Sequence, residues 1–294
     1  MKKNNQDKLP LVVLLGRPNS GKSTLINSLL NQKVTITSPK PQTTRKVSVF
    51  TFVSSKGAFR IADTPGILDK VVDTLGKSVN KQAPPAISNA SLILYLVDIS
   101  RPWGEEEQKS LALARLAKAK KILVYNKIDR AVSTKNFLAQ YNFMEQEFDA
   151  TISISALKLT HLKSLANLIF SLLPPQNPKT FSQVSSPLLD TNSNEFISEL
   201  IREKTLLTLR KEVPYTVNVV VNSVEHDPDK NIINIFANIE TTHPRYKKMI
   251  IGRQGYMIKK IGSMARKELE LISQTHVFLK LEVVVNKHWP DQFL

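Results

Sequence analysis

Five apolar residues, Leu11-Val12-Val13-Leu14-Leu15, run straight into Gly16 and then into a stretch over 22–30 with helical spacing. The alternation repeats. Short apolar runs suited to strands fall near 11–15, 47–53, 58–62, 91–97, 121–125 and 151–154. Helical patterns fall near 22–30, 105–118, 134–147 and 159–173. Apolar strands alternating with helices predict an α/β fold, a mainly parallel sheet with helices on both faces. The texture then changes. Pro174-Pro175-Gln176-Asn177-Pro178 and Ser185-Ser186-Pro187 are rich in Pro and Ser and carry no periodicity, which reads as a linker. Beyond it, a helix is expected over 193–212 with Ser193 or Asn194 as N-cap and Val213-Pro214 as its end. Strands over 215–224 and 231–239, a short helix over 245–251, a helix over 256–272 and a strand over 276–285 complete an α-β-β-α-α-β order. The predicted division is a first domain over 1–175, a linker over 176–192 and a second, α+β domain over 193–294.

Residues 16–23 read G-R-P-N-S-G-K-S and sit between the first strand and the first helix, where the pattern G-x-x-x-x-G-K-[ST] forms an anion site. Gly16, Arg17, Pro18, Asn19, Ser20, Gly21, Lys22, Ser23 and Thr24 are therefore candidates for binding a nucleotide's phosphates. Lys22 suits the β- and γ-phosphates, and the Ser23 hydroxyl suits Mg²⁺. Three further segments decide the base. Asp63-Thr64-Pro65-Gly66 fits D-x-x-G, with Asp63 on the metal's water shell and the Gly66 amide at the γ-phosphate. Asn126-Lys127-Ile128-Asp129 fits N-K-x-D after an apolar strand. Its Asp129 carboxylate accepts only, so it takes guanine's two N–H donors and repels adenine's acceptor. Asn126 would brace the loop, and the Lys127 stem would cover the ring. Ser155-Ala156-Leu157 would reach guanine O6. All four segments end strands, where an open α/β sheet binds ligands. They predict a site for GTP and GDP with Mg²⁺, completed by a switch threonine, Thr44 in preference to Thr43.

Composition narrows the class. The chain has 294 residues, enough for about two domains, and no cysteine, which excludes a disulfide framework and thiolate metal sites. No apolar run approaches the ~20 residues of a membrane span, and the start is too weakly apolar for a signal peptide. A soluble cytosolic protein is expected. The formal net charge is +16. Residues 1–180 contribute +14 of it, whereas 181–240 are net acidic and 241–294 carry +6. Such a balance points to a polyanion, nucleic acid or an anionic membrane face.

The second domain holds its own motif. Residues 250–262 read I-I-G-R-Q-G-Y-M-I-K-K-I-G, with Gly252-Arg253-Gln254-Gly255 between two helices. A Gly-bracketed turn lets a sugar-phosphate backbone come close, as in the G-x-x-G clamp of KH domains. Lys247, Lys248, Lys259 and Lys260 surround it. On these motifs the chain resembles the Era family of GTPases over nearly its whole length. The G-R-P-N-S-G-K-S-T loop, Pro41-Gln42-Thr43-Thr44-Arg45, D-T-P-G, N-K-I-D, residues 196–204, Val213-Pro214-Tyr215-Thr216-Val217, the I-I-G-R-Q-G turn and Lys287-His288-Trp289 carry the likeness. Ser20 departs from it, standing where the family usually has a small apolar residue; so do Ile67-Leu68-Asp69-Lys70 and Pro290.

The resemblance implies a P-loop GTPase domain followed by a type II KH domain, binding to the 3′ end of 16S rRNA, and a role in assembling the 30S subunit. It also implies a cytoplasmic monomer able to associate peripherally with the inner membrane. Lys22, Thr44 and Gly66 are the expected catalytic positions. Ile67 stands where many small GTPases carry a water-orienting Gln, so slow intrinsic hydrolysis is expected. Asn19 offers a carbonyl to a monovalent cation, and the resemblance implies K⁺ there. The rival expectation is a GTP-responsive RNA-binding module with negligible turnover.

Overall fold

The computed structural model describes residues 9–38, 40, 44, 47–65, 84–131, 136–176, 193–228 and 230–293. The chain divides into two compact units, residues 1–35 with 44–187 and residues 36–43 with 188–294. Within the second, the Thr37 amide donates to Glu203 at 2.8 Å.

The first unit is built on a six-stranded sheet: β1 (Leu11–Leu15), β2 (Ser48–Ser54), β3 (Gly57–Asp63), β4 (Leu92–Asp98), β5 (Lys120–Asn126) and β6 (Ala150–Ser153). Its order is β2-β3-β1-β4-β5-β6, with only β2 antiparallel to its neighbour. β4 is buried along its whole length because helices cover both faces, which is why Leu92-Ile93-Leu94-Tyr95-Leu96-Val97 is unbroken apolar sequence. Edge strand β2 has mixed burial. The helices with both ends among the described residues are α1 (Lys22–Leu30), α2 (Glu105–Leu116), the single turn α3 (Ile128–Ala131) and α4 (Leu162–Leu172), and residues 84–88 are helical as well. Chain order reverses on either side of β1, which joins β3 and β4. This is the crevice where open sheets bind ligands, and α1 starts there.

The helix expected over 134–147 is not α-helical in its described part, 136–147. Two 3₁₀ segments, Leu138–Gln140 and Asn142–Glu147, lie there instead. The cause is the spacing: Leu138, Tyr141 and Met144 recur every three residues, matching a 3₁₀ turn rather than a 3.6-residue period. Tyr141 and Met144 fill the core at that pitch. The helix expected over 159–173 starts at Leu162, because Leu159 and His161 adopt positive φ and Ser155 pairs with Thr160.

The second unit follows the expected order: α5 (Asn194–Thr208), β7 (Val217–Asp227), β8 (Ile232–Thr241), α6 (Pro244–Ile251), α7 (Tyr256–Ser273) and β9 (His276–Val285). β7 and β8 are antiparallel, β8 and β9 parallel. β8 alternates buried and half-buried positions, so one sheet face meets the helices through Ile233, Ile235, Ala237 and Ile239. Ser193 caps α5 by accepting from the Phe196 amide at 3.3 Å. α5 ends before 212 because Leu209 turns extended and Lys211 takes φ 55°. Among the described residues, no helix is long and apolar enough to cross a membrane.

Candidate functional site: a phosphate loop and its guanine-side partners

The N-terminus of α1 is uncapped. Its cap residue Gly21 has φ 107°, no side chain bonds the first-turn amides, and no acidic residue stands in that turn. The free amides and the positive dipole end are thereby left to an anion. Gly21 is required for a second reason: a Cβ there would lie 2.2 Å from Asn126 Nδ2. Asn126 closes over the loop, its Nδ2 donating to Ser20 O at 2.9 Å and its Oδ1 accepting from the Ala156 amide at 3.0 Å. One buried side chain thus joins the phosphate loop, the N-K-x-D loop and the segment after β6.

Lys22 is buried and curls back, its Nζ donating to Gly16 O at 2.9 Å and Arg17 O at 3.1 Å. Burial pulls its ammonium down to about 8, against the pull of Asp63. Three groups from separate elements converge beside it. Ser23 Oγ donates to Asp63 Oδ2 at 2.7 Å, and Thr44 Oγ1 lies 3.2 Å from Ser23 Oγ and 3.3 Å from Asp63 Oδ2. Burial raises the Asp63 carboxyl, opposed by the Ser23 hydrogen bond and Lys22. Asp63 Oδ1 is buried without a partner among the described residues. Two hydroxyls and a carboxylate with an unsatisfied oxygen are the donor set of a hard, hydrated cation, so these residues fit Mg²⁺.

On the guanine side, Asp129 lies in α3 and accepts from the Ser155 hydroxyl. Lys127 has φ 67° and reaches both Asp98 Oδ2 and Asn19 O at 2.6 Å. Burial depresses the Lys127 ammonium, with Asp98 opposing. Burial also works to raise Asp98, but hydrogen bonds from Lys127 and Ser100 outweigh it and hold its carboxyl low. Thr64 is buried and bonds Leu14 O; Pro18 and Pro65 are buried, Ile128 half-buried and Leu157 exposed. Thr24 is half-buried on α1. Gly66, Ile67 and Thr43 lie outside the described residues.

Arg17, expected at the phosphates, turns its side chain into the domain, 3.0 Å from Glu107 and bonded to Asp98 O and Pro102 O. Asp98 was not anticipated at all. The signal was present: an acidic residue closing the apolar strand β4 at the same sheet edge as the other motifs.

In the second unit, Gly252 and Gly255 have φ 72° and 76°, and Gln254 between them has φ 50°. A Cβ on Gly252 would meet Met257 at 2.5 Å, so glycine is structurally required there. Arg253, Gln254, Lys248, Lys259 and Lys260 are exposed around the turn, and Lys247 is half-buried.

This fold and these loops define a GTPase domain joined to a KH domain. The family described as 50S ribosome-binding GTPase matches residues 11–127, and the KH domain family matches residues 212–290. The chain is 36% identical to GTPase Era of Halothermothrix orenii, covering 96% of this chain and 94% of the relative. It is 37% identical to GTPase Era of Caldanaerobacter subterraneus, covering 95% and 93%. Two crystal structures are similar at 32% identity and TM-score 0.85: Aquifex aeolicus Era bound to GDP·AlF4⁻, and Era in complex with MgGDPNP and nucleotides 1506–1542 of 16S ribosomal RNA. The alignments cover 95% and 96% of this chain and 94% of each of those chains. The chain belongs to the Era family of GTPases.

Proposed function

We propose that the protein is a GTP-hydrolysing switch that binds 16S rRNA near its 3′ end through its KH domain and assists maturation of the 30S subunit. The observation that carries the reading is the convergence of Lys22, Ser23, Thr44 and Asp63 at an uncapped helix N-terminus, in a chain that also holds a basic G-x-x-G turn. The Era complex with 16S rRNA nucleotides supports the choice of RNA, and family membership favours turnover over a binding-only module.

Phosphoryl transfer asks a protein chiefly for positioning and charge stabilisation. Lys22 and the loop's N–H groups, which Pro18 lacks, would neutralise the β- and γ-phosphates. Ser23 and Thr44 would hold Mg²⁺ directly and Asp63 its water shell, and the Gly66 amide would meet the γ-phosphate. Mg²⁺ held there would stabilise the negative charge that develops on the phosphates. Asp129 selects guanine, Asn126 braces the loops, and the backbone of Ser155, Ala156 and Leu157 takes O6. K⁺ held at Asn19 would supply further positive charge where Ile67 cannot orient water. Arg253, Gln254, Lys247, Lys248, Lys259 and Lys260 grip RNA. The basic first domain is suited to a second polyanion, rRNA or the inner face of the cell membrane, with the protein acting as a cytoplasmic monomer.

Phosphate release measured with and without 30S subunits tests the reading. Slow hydrolysis alone, faster with subunits, and faster in KCl than in NaCl at equal ionic strength is expected. The salt difference should vanish in Asn19→Ala. Equal rates in the two salts would remove the cation role, and no turnover under any condition would favour the binding-only module.

A further inference from the structure

We infer that Arg17 is a positioning residue for the nucleotide, tying the phosphate loop to the loop after β4 and, through Asp98 and Lys127, to the guanine-side motif. The inference rests on reading residues 16–24 and 126–129 as the nucleotide site.

The geometry closes a circuit. Arg17 is 3% exposed and Glu107, in the first turn of α2, is fully buried. Arg17 Nε lies 3.0 Å from Glu107 Oε2, Nη1 donates to Pro102 O at 3.0 Å, and Nη2 donates to Asp98 O at 3.0 Å. The Tyr95 hydroxyl, on β4, donates to Glu107 Oε1 at 2.9 Å. The Asp98 carboxylate in turn takes the Ser100 amide and hydroxyl and Lys127 Nζ, and Lys127 Nζ returns to the phosphate loop at Asn19 O. Two links therefore run from the phosphate loop to the segment 98–102, one through Arg17 and one through Lys127.

Filling space does not call for this arrangement. A buried ion pair is often replaceable by apolar side chains without loss of stability, so its worth lies in what it fixes. The guanidinium donates to Asp98 O and Pro102 O while its Nε side lies in ion-pair contact with Glu107, a spread that a compact ammonium matches poorly. Held this way, the backbone after β4 stays at a set distance from the phosphate loop, and Asp98 keeps Lys127 aimed. The nucleotide then meets loops already in their bound spacing, so little ordering is left for the binding step.

The test separates positioning from packing. Arg17→Met/Glu107→Gln removes both charges at similar volume. It should unfold close to the parent temperature, whereas Arg17→Met alone, which strands Glu107, should unfold well below it. The double variant should nevertheless bind GTP and GDP about tenfold or more weakly, with the loss in KM rather than in kcat at saturation. Asp98→Asn should weaken binding similarly, and less than additively when combined with the double variant, because both cut one circuit. Parent-like affinity in the double variant, or full additivity with Asp98→Asn, overturns the inference. Should the double variant not fold, Arg17→Lys keeps a cation against Glu107 but loses the fork: weak binding at near-parent stability supports the inference, and parent-like binding overturns it. Failure of the parent to bind GTP would instead sink the site reading beneath it.

Discussion

Lys22 shows how much of this site depends on one side chain's surroundings. Burial lowers its pKa from 10.5 to about 8 in the free protein. Phosphate binding needs the ammonium, so above about pH 8 binding must first take up a proton, and GTP affinity should fall about tenfold per pH unit until the complex's own pKa is passed. Stability runs the other way. Between pH 8 and 10.5 the folded protein binds fewer protons at Lys22 than the unfolded chain, so this group's contribution to stability rises through that window. Calorimetric titration with GTP across the range checks the first claim, and a flat affinity above pH 8 refutes it. Asp129 is the residue proposed to read the base. Asp129→Asn replaces an acceptor with a group that also donates, so GTP should bind about 10- to 150-fold more weakly while xanthosine triphosphate gains. Undiminished GTP affinity would mean that another residue reads the base. Lys22 and Asp129 stand out in the sequence because each sits in a spacing that few other chemistries share. The inward turn of Arg17 was not legible, because its partner Glu107 lies 90 residues away, on another element.

At the scale of elements, what could be read from sequence was what local periodicity controls. β4 is an unbroken apolar run and was placed within a residue; β9 was placed over 276–285 as observed. The failures are local too. Residues 138, 141 and 144 carry a period of three that looks helical in a short window, and only burial of Tyr141 and Met144 selects the 3₁₀ pitch. The G-x-x-G turn gives the sharpest element-level prediction. Gly252 has φ 72° with Met257 crowding its Cβ position, while the Cβ position of Gly255 is nearly open. Gly252→Asp should therefore both strain α6–α7 and repel phosphate, whereas Gly255→Asp acts mainly through φ and charge. RNA affinity should fall steeply in both, with the larger drop in unfolding temperature in Gly252→Asp. GTP affinity should hold, since the substitutions lie outside the first unit. RNA binding unchanged in a folded Gly255→Asp protein would rule out the turn as the clamp.

At the scale of the whole molecule, charge is the property that no single motif explains. Four exposed cations lie in or beside the G-x-x-G turn, Lys248, Arg253, Lys259 and Lys260. If they alone met the phosphates of a single strand, the logarithm of affinity would fall with the logarithm of salt at a slope of about −3. The chain's +16 is concentrated elsewhere, with +14 over residues 1–180. Within that excess, Lys118 and Lys120 stand exposed at the amino-terminal edge of β5. A polyanion as long as a ribosomal RNA segment has charge to spare for such a surface. The full chain should therefore show a slope clearly steeper than about −3 when anisotropy of a labelled 16S 3′-end RNA is followed across a KCl series. Lys118→Glu/Lys120→Glu should bring the slope back toward that value while leaving GTP binding intact. A slope already near −3 in the parent would confine the RNA to the KH turn and leave the first unit's charge for an anionic membrane surface.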